Sequence, residues 1–159
     1  MCSKAIAIIK GPYVYGVIKF HQCIENRGTN VYFDLYGMKP NKKMACHIHE
    51  FGDESDGCIS LGPHWNPTNR DHGSIKIDIH NSHAGDLINN ILSDGSGKFK
   101  FSYMDPRVQI KGDVTKSIIG RSIVIHNGID DLGLGGNAES KKTGNAGGRM
   151  ACDIIGHSK

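Results

Sequence analysis

The stretch "VYFDLYG", residues 31–37, decides the fold class. Val31, Phe33 and Leu35 alternate with Tyr32, Asp34 and Tyr36. That period of two puts one set of side chains on each face of a β-strand. "KFKFSY", residues 98–103, repeats the pattern. Strands of this kind bury one face and wet the other, the habit of antiparallel sheets. Working outward, further strand-like runs lie at 4–10, 14–23, 30–38, 43–50, 86–93, 97–105, 118–127 and 149–156. Helical periodicity is sparse, and the 21 glycines, with turn pairs at Asp94-Gly95 and Asn127-Gly128, punctuate the runs. The expectation is an all-β chain, a sandwich or flattened barrel of about eight strands. At 159 residues it forms one domain, 1–159, without internal repeats.

Composition narrows the function classes. The formal charge is +3, and Lys and Arg are dispersed, which argues against nucleic acid as a partner. No apolar run has the length of a membrane span, and "MCSKAIAIIKGPY" lacks the apolar region and cleavage site of a secretory signal. The five cysteines form no CxxC pair, and their odd number leaves at least one free thiol. Together these point to a cytoplasmic, reducing location with no membrane partner.

Two stretches break the strand pattern, residues 51–85 and 128–148. Structureless segments this long inside a compact domain are usually functional and held by something else. Histidines supply a reason. "MACHIHEFGD", residues 44–53, places His47 and His49 two apart, so that on a strand they project side by side while Cys46 and Ile48 point the other way. The first long stretch adds His64, His72, His80 and His83, with Asp86 just beyond it, and His126 precedes the second. Imidazoles combined with a carboxylate suit zinc and copper.

The segments "HIHEFGD", "GPHWNP", "HAGDL", "IGRSIVIH", "DDLG", "TGNAGGRMAC" and "IIG" resemble, in order and nearly in spacing, the signature segments of the copper–zinc superoxide dismutase family. The resemblance covers essentially the whole chain. It implies an immunoglobulin-like Greek-key sandwich with two long functional loops, copper and zinc as cofactors at one each per subunit, and superoxide as substrate. By position, His47, His49, His64 and His126 match the copper ligands, and His64, His72, His83 and Asp86 match the zinc ligands, with His64 shared. Asp130 matches a carboxylate tying His47 to His72. His64 and Arg149 match the catalytic pair, and Lys141, Lys142 and Arg149 are placed to steer an anion. Cys58 and Cys152 match a disulfide, which leaves Cys2, Cys23 and Cys46 as the expected free thiols. A homodimer follows from the same resemblance, through Phe51-Gly52, Ile118-Ile119-Gly120 and the last strand, and a copper chaperone is a possible loading partner.

Departures from the pattern are local. His72 and His83 are eleven apart where nine is usual, and His80 competes for the third zinc position; "HAGDL" favours His83. Cys46 stands where phenylalanine is usual and is expected in the core, with larger neighbours filling the space. Asp153 and His157 replace a glycine and an apolar residue on the dimer strand. Two other readings compete with the enzyme: a dismutase-like copper chaperone and a zinc-only binding domain. Both predict broken ligand sets, and every ligand position here is filled.

Overall fold

A computed structural model describes residues 2–23 and 28–159. Nine strands form two antiparallel sheets: β1 (Cys2–Lys10), β2 (Tyr15–Cys23), β3 (Thr29–Tyr36), β4 (Lys43–His49), β5 (Asn90–Leu92), β6 (Phe99–Asp105), β7 (Ser122–His126), β8 (Arg149–Ile154) and β9 (Gly156–His157). One sheet has the order β6-β3-β2-β1-β9 and the other β5-β4-β7-β8. The alternating stretch behaves as its pattern dictates, since Val31, Phe33 and Leu35 are buried while Tyr32 is exposed. In β6 the same period sets Phe99, Phe101 and Tyr103 opposite those three residues.

The ninth strand is a finding. The C-terminal run, expected as one strand over 149–156, divides at Ile155, so that β8 pairs with β7 and β9 pairs with β1. Ile155 is fully buried at the crossing and its N–H donates to Arg121 O at 2.8 Å. The run 86–93 shortens to β5, because Ala84–Asp86 is a 3-10 turn and Leu87 and Asn89 take positive φ.

The four-stranded sheet is covered on both faces. Met44, Cys46 and Ile48 of β4 enter the core between the sheets, whereas Ala45, His47 and His49 are buried on the far face. All five residues of β7 are buried as well. The cover on the far face is the two long loops, residues 50–89 and 127–148. Trp65 N–H donates to Ile48 O at 2.9 Å, which seats the first loop against β4. Gly85 lies so close to Ile48 O that a Cβ there has no room. Arg121 stacks over Trp65 at 4.6 Å. Arg107 donates to the Ser82 hydroxyl and to the carbonyls of His83 and Leu87 at 2.8–3.0 Å, and pairs with the buried Asp105 at 2.7 Å.

Cys58 and Cys152 are bonded across 94 positions, joining the first loop to β8. Closing a loop of that length contributes on the order of 4–5 kcal/mol in the chain-entropy account. The expectation of three free thiols is corrected: Cys2 and Cys23 are also bonded, and Cys46 is the one free cysteine among the described residues. The reason is register, because Cys2 and Cys23 are Cα partners in the β1–β2 ladder. That pairing removes part of the argument from free thiols to a reducing compartment. Cys46 itself is where strand alternation sends it, fully buried, with burial pushing its thiol up to about 12.

Candidate metal centre

His47 and His49 rise from β4 on the loop-covered face, and His126 ends β7, where a register shift between Ile125 and His126 turns the chain. His64 reaches them because its segment bridges back to His49. The four imidazoles present nitrogens within 4.8 Å of one another, and a second group, His64, His72, His83 and Asp86, does the same. His64 belongs to both. All seven side chains are buried.

The hydrogen bonds decide which nitrogens are free. His47 Nε2 lies 2.6 Å from Asp130 Oδ2, and His72 Nε2 lies 2.9 Å from Asp130 Oδ1, so one carboxylate ties the two groups together. His49 Nδ1 donates to Gly62 O at 2.8 Å and His126 Nδ1 to Gly147 O at 3.1 Å. These contacts fix ring orientation and leave His47 Nδ1, His49 Nε2, His64 Nε2 and His126 Nε2 pointing at one another. His47 Nδ1 and His64 Nε2 are buried without a hydrogen-bond partner, and the two Nε2 atoms of His49 and His126 sit 3.3 Å apart. Orphaned buried nitrogens are costly, and a cation among them removes the cost.

The second group makes the same case. The Nδ1 atoms of His64, His72 and His83 lie 3.2, 2.9 and 3.1 Å from the single oxygen Asp86 Oδ1. The His72 contact is short yet lacks hydrogen-bonding geometry, and its Nδ1 has no partner. Three imidazole nitrogens around one carboxylate oxygen match a tetrahedral zinc shell, whose ligand atoms at about 2.0–2.1 Å from the ion stand roughly 3.3 Å from each other. The donor sets therefore fit a metal in each group.

Protonation agrees. Burial first, then the neighbouring imidazole His64, holds His47 down at about 3. Burial and His64 also depress His49, and burial lowers His64. His126 is held at about 4, chiefly by burial. Burial also lowers His72, but the bond to Asp130 and the contact with Asp86 outweigh it and bring that imidazole up to about 9. Burial opposes ionisation of Asp130 and Asp86, yet their histidine partners hold both carboxyls well below the ordinary carboxylate range. Neutral imidazoles in the first group and an ionised Asp86 in the second are the forms metals take, whereas His72, charged in the absence of an ion, gives up a proton on binding one.

A cavity of about 300 Å³ opens above the first group, lined by His49, Pro63, His64, His126, Glu139, Thr143, Asn145, Gly147 and Arg149. The Arg149 guanidinium is pinned there by Cys58 O and Gly62 O, both at 2.6 Å. Lys141 and Lys142 are exposed on α1 (Ser140–Thr143) and do not line that cavity. His80 is exposed and lines a different cavity with Arg70 and Lys116. His83 is buried in the second group.

Three supporting residues escaped the sequence reading. Asn89 donates to Asp130 Oδ2 at 3.0 Å, and Asn90 brackets the Asp130 backbone with bonds of 2.9 and 3.0 Å. Gly144, at φ 64, lies against Asp130 and His72 so closely that a Cβ would collide with both. The one signal was the pair Asn89-Asn90 interrupting an otherwise apolar run.

Two donor groups sharing one histidine, beside a cavity with a fixed guanidinium, agree with what this chain is similar to. The family model for copper/zinc superoxide dismutase (SODC) matches residues 14–155. The chain belongs to that family. A copper–zinc superoxide dismutase of Debaryomyces hansenii is 47% identical over 158 residues, 99% of each chain. One from Paramecium bursaria Chlorella virus 1 is 47% identical over 98% of this chain and 79% of its own length. The Saccharomyces cerevisiae enzyme is 45% identical over 96% and 97%. Among solved structures, the crystal structure of the clock protein EA4 superposes with a TM-score of 0.87 at 37% identity, covering 96% of this chain and 93% of that one. As a copper–zinc superoxide dismutase the chain is an enzyme that converts superoxide to oxygen and hydrogen peroxide. Copper and zinc are its cofactors, and the two groups are positioned to hold them.

Proposed function

We propose a division of labour within the site. His47, His49, His64 and His126 hold copper, and His64, His72, His83 and Asp86 hold zinc. A copper ion held there would supply one-electron redox chemistry, and a zinc ion held by the second group, which has no redox chemistry, would order the loop. Asp130 fixes the tautomers of His47 and His72 by accepting from both. His64 Nε2, buried and without another partner, holds a proton in one half of the cycle and passes it to the departing peroxide. Arg149 attracts the superoxide anion, and its guanidinium stays charged throughout the working range. Lys141 and Lys142 draw the anion toward the cavity from farther out.

The carrying observation is the sharing of His64 between two complete donor sets, which a zinc-only domain or a copper-delivery protein does not need. Copper and zinc content measured beside superoxide consumption tests it, with His64→Ala as the variant that loses both activity and the second metal.

A homodimer is proposed on a surface feature. Phe51 is 53% exposed and Ile154 is 36% exposed, and Gly52, next to Phe51, packs against Gly120 and Ile154, which brings these apolar side chains to one region of the surface. Cytoplasmic residence and loading by a copper chaperone complete the reading. No helix among the described residues is long and apolar enough to cross a membrane.

A further inference from the structure

The Cys2–Cys23 bond stands outside the metal site. It closes the open end of the β1–β2 ladder, whose register runs without a break from Cys2↔Cys23 to Lys10↔Tyr15. Its Cα atoms are 4.1 Å apart and only 21 positions separate the two residues. In the chain-entropy account a loop of that length still stabilises the fold, though by less than the longer Cys58–Cys152 loop. The Cys58–Cys152 bond differs, fastening the metal loop to β8 where Arg149 donates to Cys58 O.

Access differs too. Cys2 is exposed, whereas Cys23, Cys58 and Cys152 are each only partly so. Lys4 and His21 form the next pair on the same outward face. Lys4 is exposed like Cys2 and lies two residues along the same strand, so it places a positive charge on the face that carries the sulfur pair. Positive charge beside a sulfur favours its thiolate, both as leaving group and as nucleophile.

We propose that Cys2–Cys23 is a thiol–disulfide exchange site for low-molecular-weight thiols of the glutathione type. The incoming thiolate attacks Cys2 Sγ, the exposed sulfur. A new S–S bond forms there, the Cys2–Cys23 bond breaks, and Cys23 leaves as a thiolate carrying the bonding pair. A second thiol attacks the mixed disulfide, releasing the oxidised small thiol and a second protein thiolate. The protein gains two electrons, and two small thiols are oxidised to one disulfide. The sheet stays closed throughout, and the copper and zinc groups are untouched.

The test uses the metal-loaded enzyme in glutathione buffers of graded ratio, quenched by alkylation and mapped by mass spectrometry. Cys2–Cys23 is expected to open about tenfold faster than Cys58–Cys152, given the difference in access, with the adduct on Cys2. Superoxide consumption is expected to stay unchanged, while the thermal midpoint falls as the cross-link is lost. Lys4→Gln should slow exchange at this pair alone, and the doubly substituted Cys2→Ser, Cys23→Ser protein should keep full activity and form no adduct. Opening of Cys58–Cys152 first or at the same rate, or loss of activity when Cys2–Cys23 opens, would each overturn the proposal.

Discussion

At the residue scale, the decisive choice is between His80 and His83. Both lie in the loop that is two residues longer than the family pattern, but His83 is buried, with Nδ1 3.1 Å from Asp86 Oδ1, while His80 is exposed. His83→Ala should therefore release zinc and His80→Ala should retain it, measured as zinc per chain after dialysis. Retention in the first variant with loss in the second would reverse the assignment. The metal-free protein should also carry a pH signature. His47 and His126, held at about 3 and about 4 against an ordinary 6.5, stay neutral in the fold while the unfolded chain takes up protons. Their contribution is present above pH 6.5 and is lost as the pH falls toward 4 and 3. His72, at about 9, has the opposite sign: its contribution is full below 6.5 and lost as the pH rises through 9. Guanidinium midpoints of the metal-free protein should drop on the acid side of neutrality, and a midpoint that rises on acidification contradicts the account. His72 lies outside the short motifs and its spacing to His83 departs from the usual one, but most residues of the two donor groups were legible in the sequence because they sit in such motifs. Asn89, Asn90 and Gly144 were not, because their partners lie across the fold and no local spacing links them to Asp130.

At the scale of elements, the strands whose pattern alternates were readable and those that break the pattern were not. β3 and β6 appear where the period of two puts them. The C-terminal strand was read as one, because the crossing at buried Ile155 leaves no polar or glycine break until Gly156. The Cys2–Cys23 bond depended on the β1–β2 register, which the turn at residues 11–14 sets and composition does not show. Helix α1 carries the steering claim. Its lysines are exposed and lie off the cavity, so in the proposed role they would act through their field over a distance, screened within about 8–10 Å at ordinary salt. Arg149 acts at the cavity wall. Neutralising Lys141 and Lys142 together should flatten the fall of rate with ionic strength, while neutralising Arg149 lowers the rate by roughly tenfold, the low end of electrostatic steering. Turnover against salt decides it, and a slope unaffected by losing both lysines would contradict the role given to α1.

At the scale of the whole molecule, the far face of the four-stranded sheet is dry because two loops cover it, and those loops are held by Arg107, the Cys58–Cys152 bond and the donor groups themselves. Phe51 and Ile154 are among the apolar side chains left exposed, and the proposed dimer would cover them. Sedimentation should find a dimer for the parent and a monomer for Phe51→Glu, and a parent that sediments as a monomer removes the dimer from the account. The central claim is that this fold brings together a redox metal and a structural metal through one shared histidine. Metal content of the purified protein, measured beside its superoxide consumption, tests that most directly. The account predicts one copper and one zinc per chain with cyanide-sensitive activity that disappears in His64→Ala; zinc alone with no consumption of superoxide would contradict it.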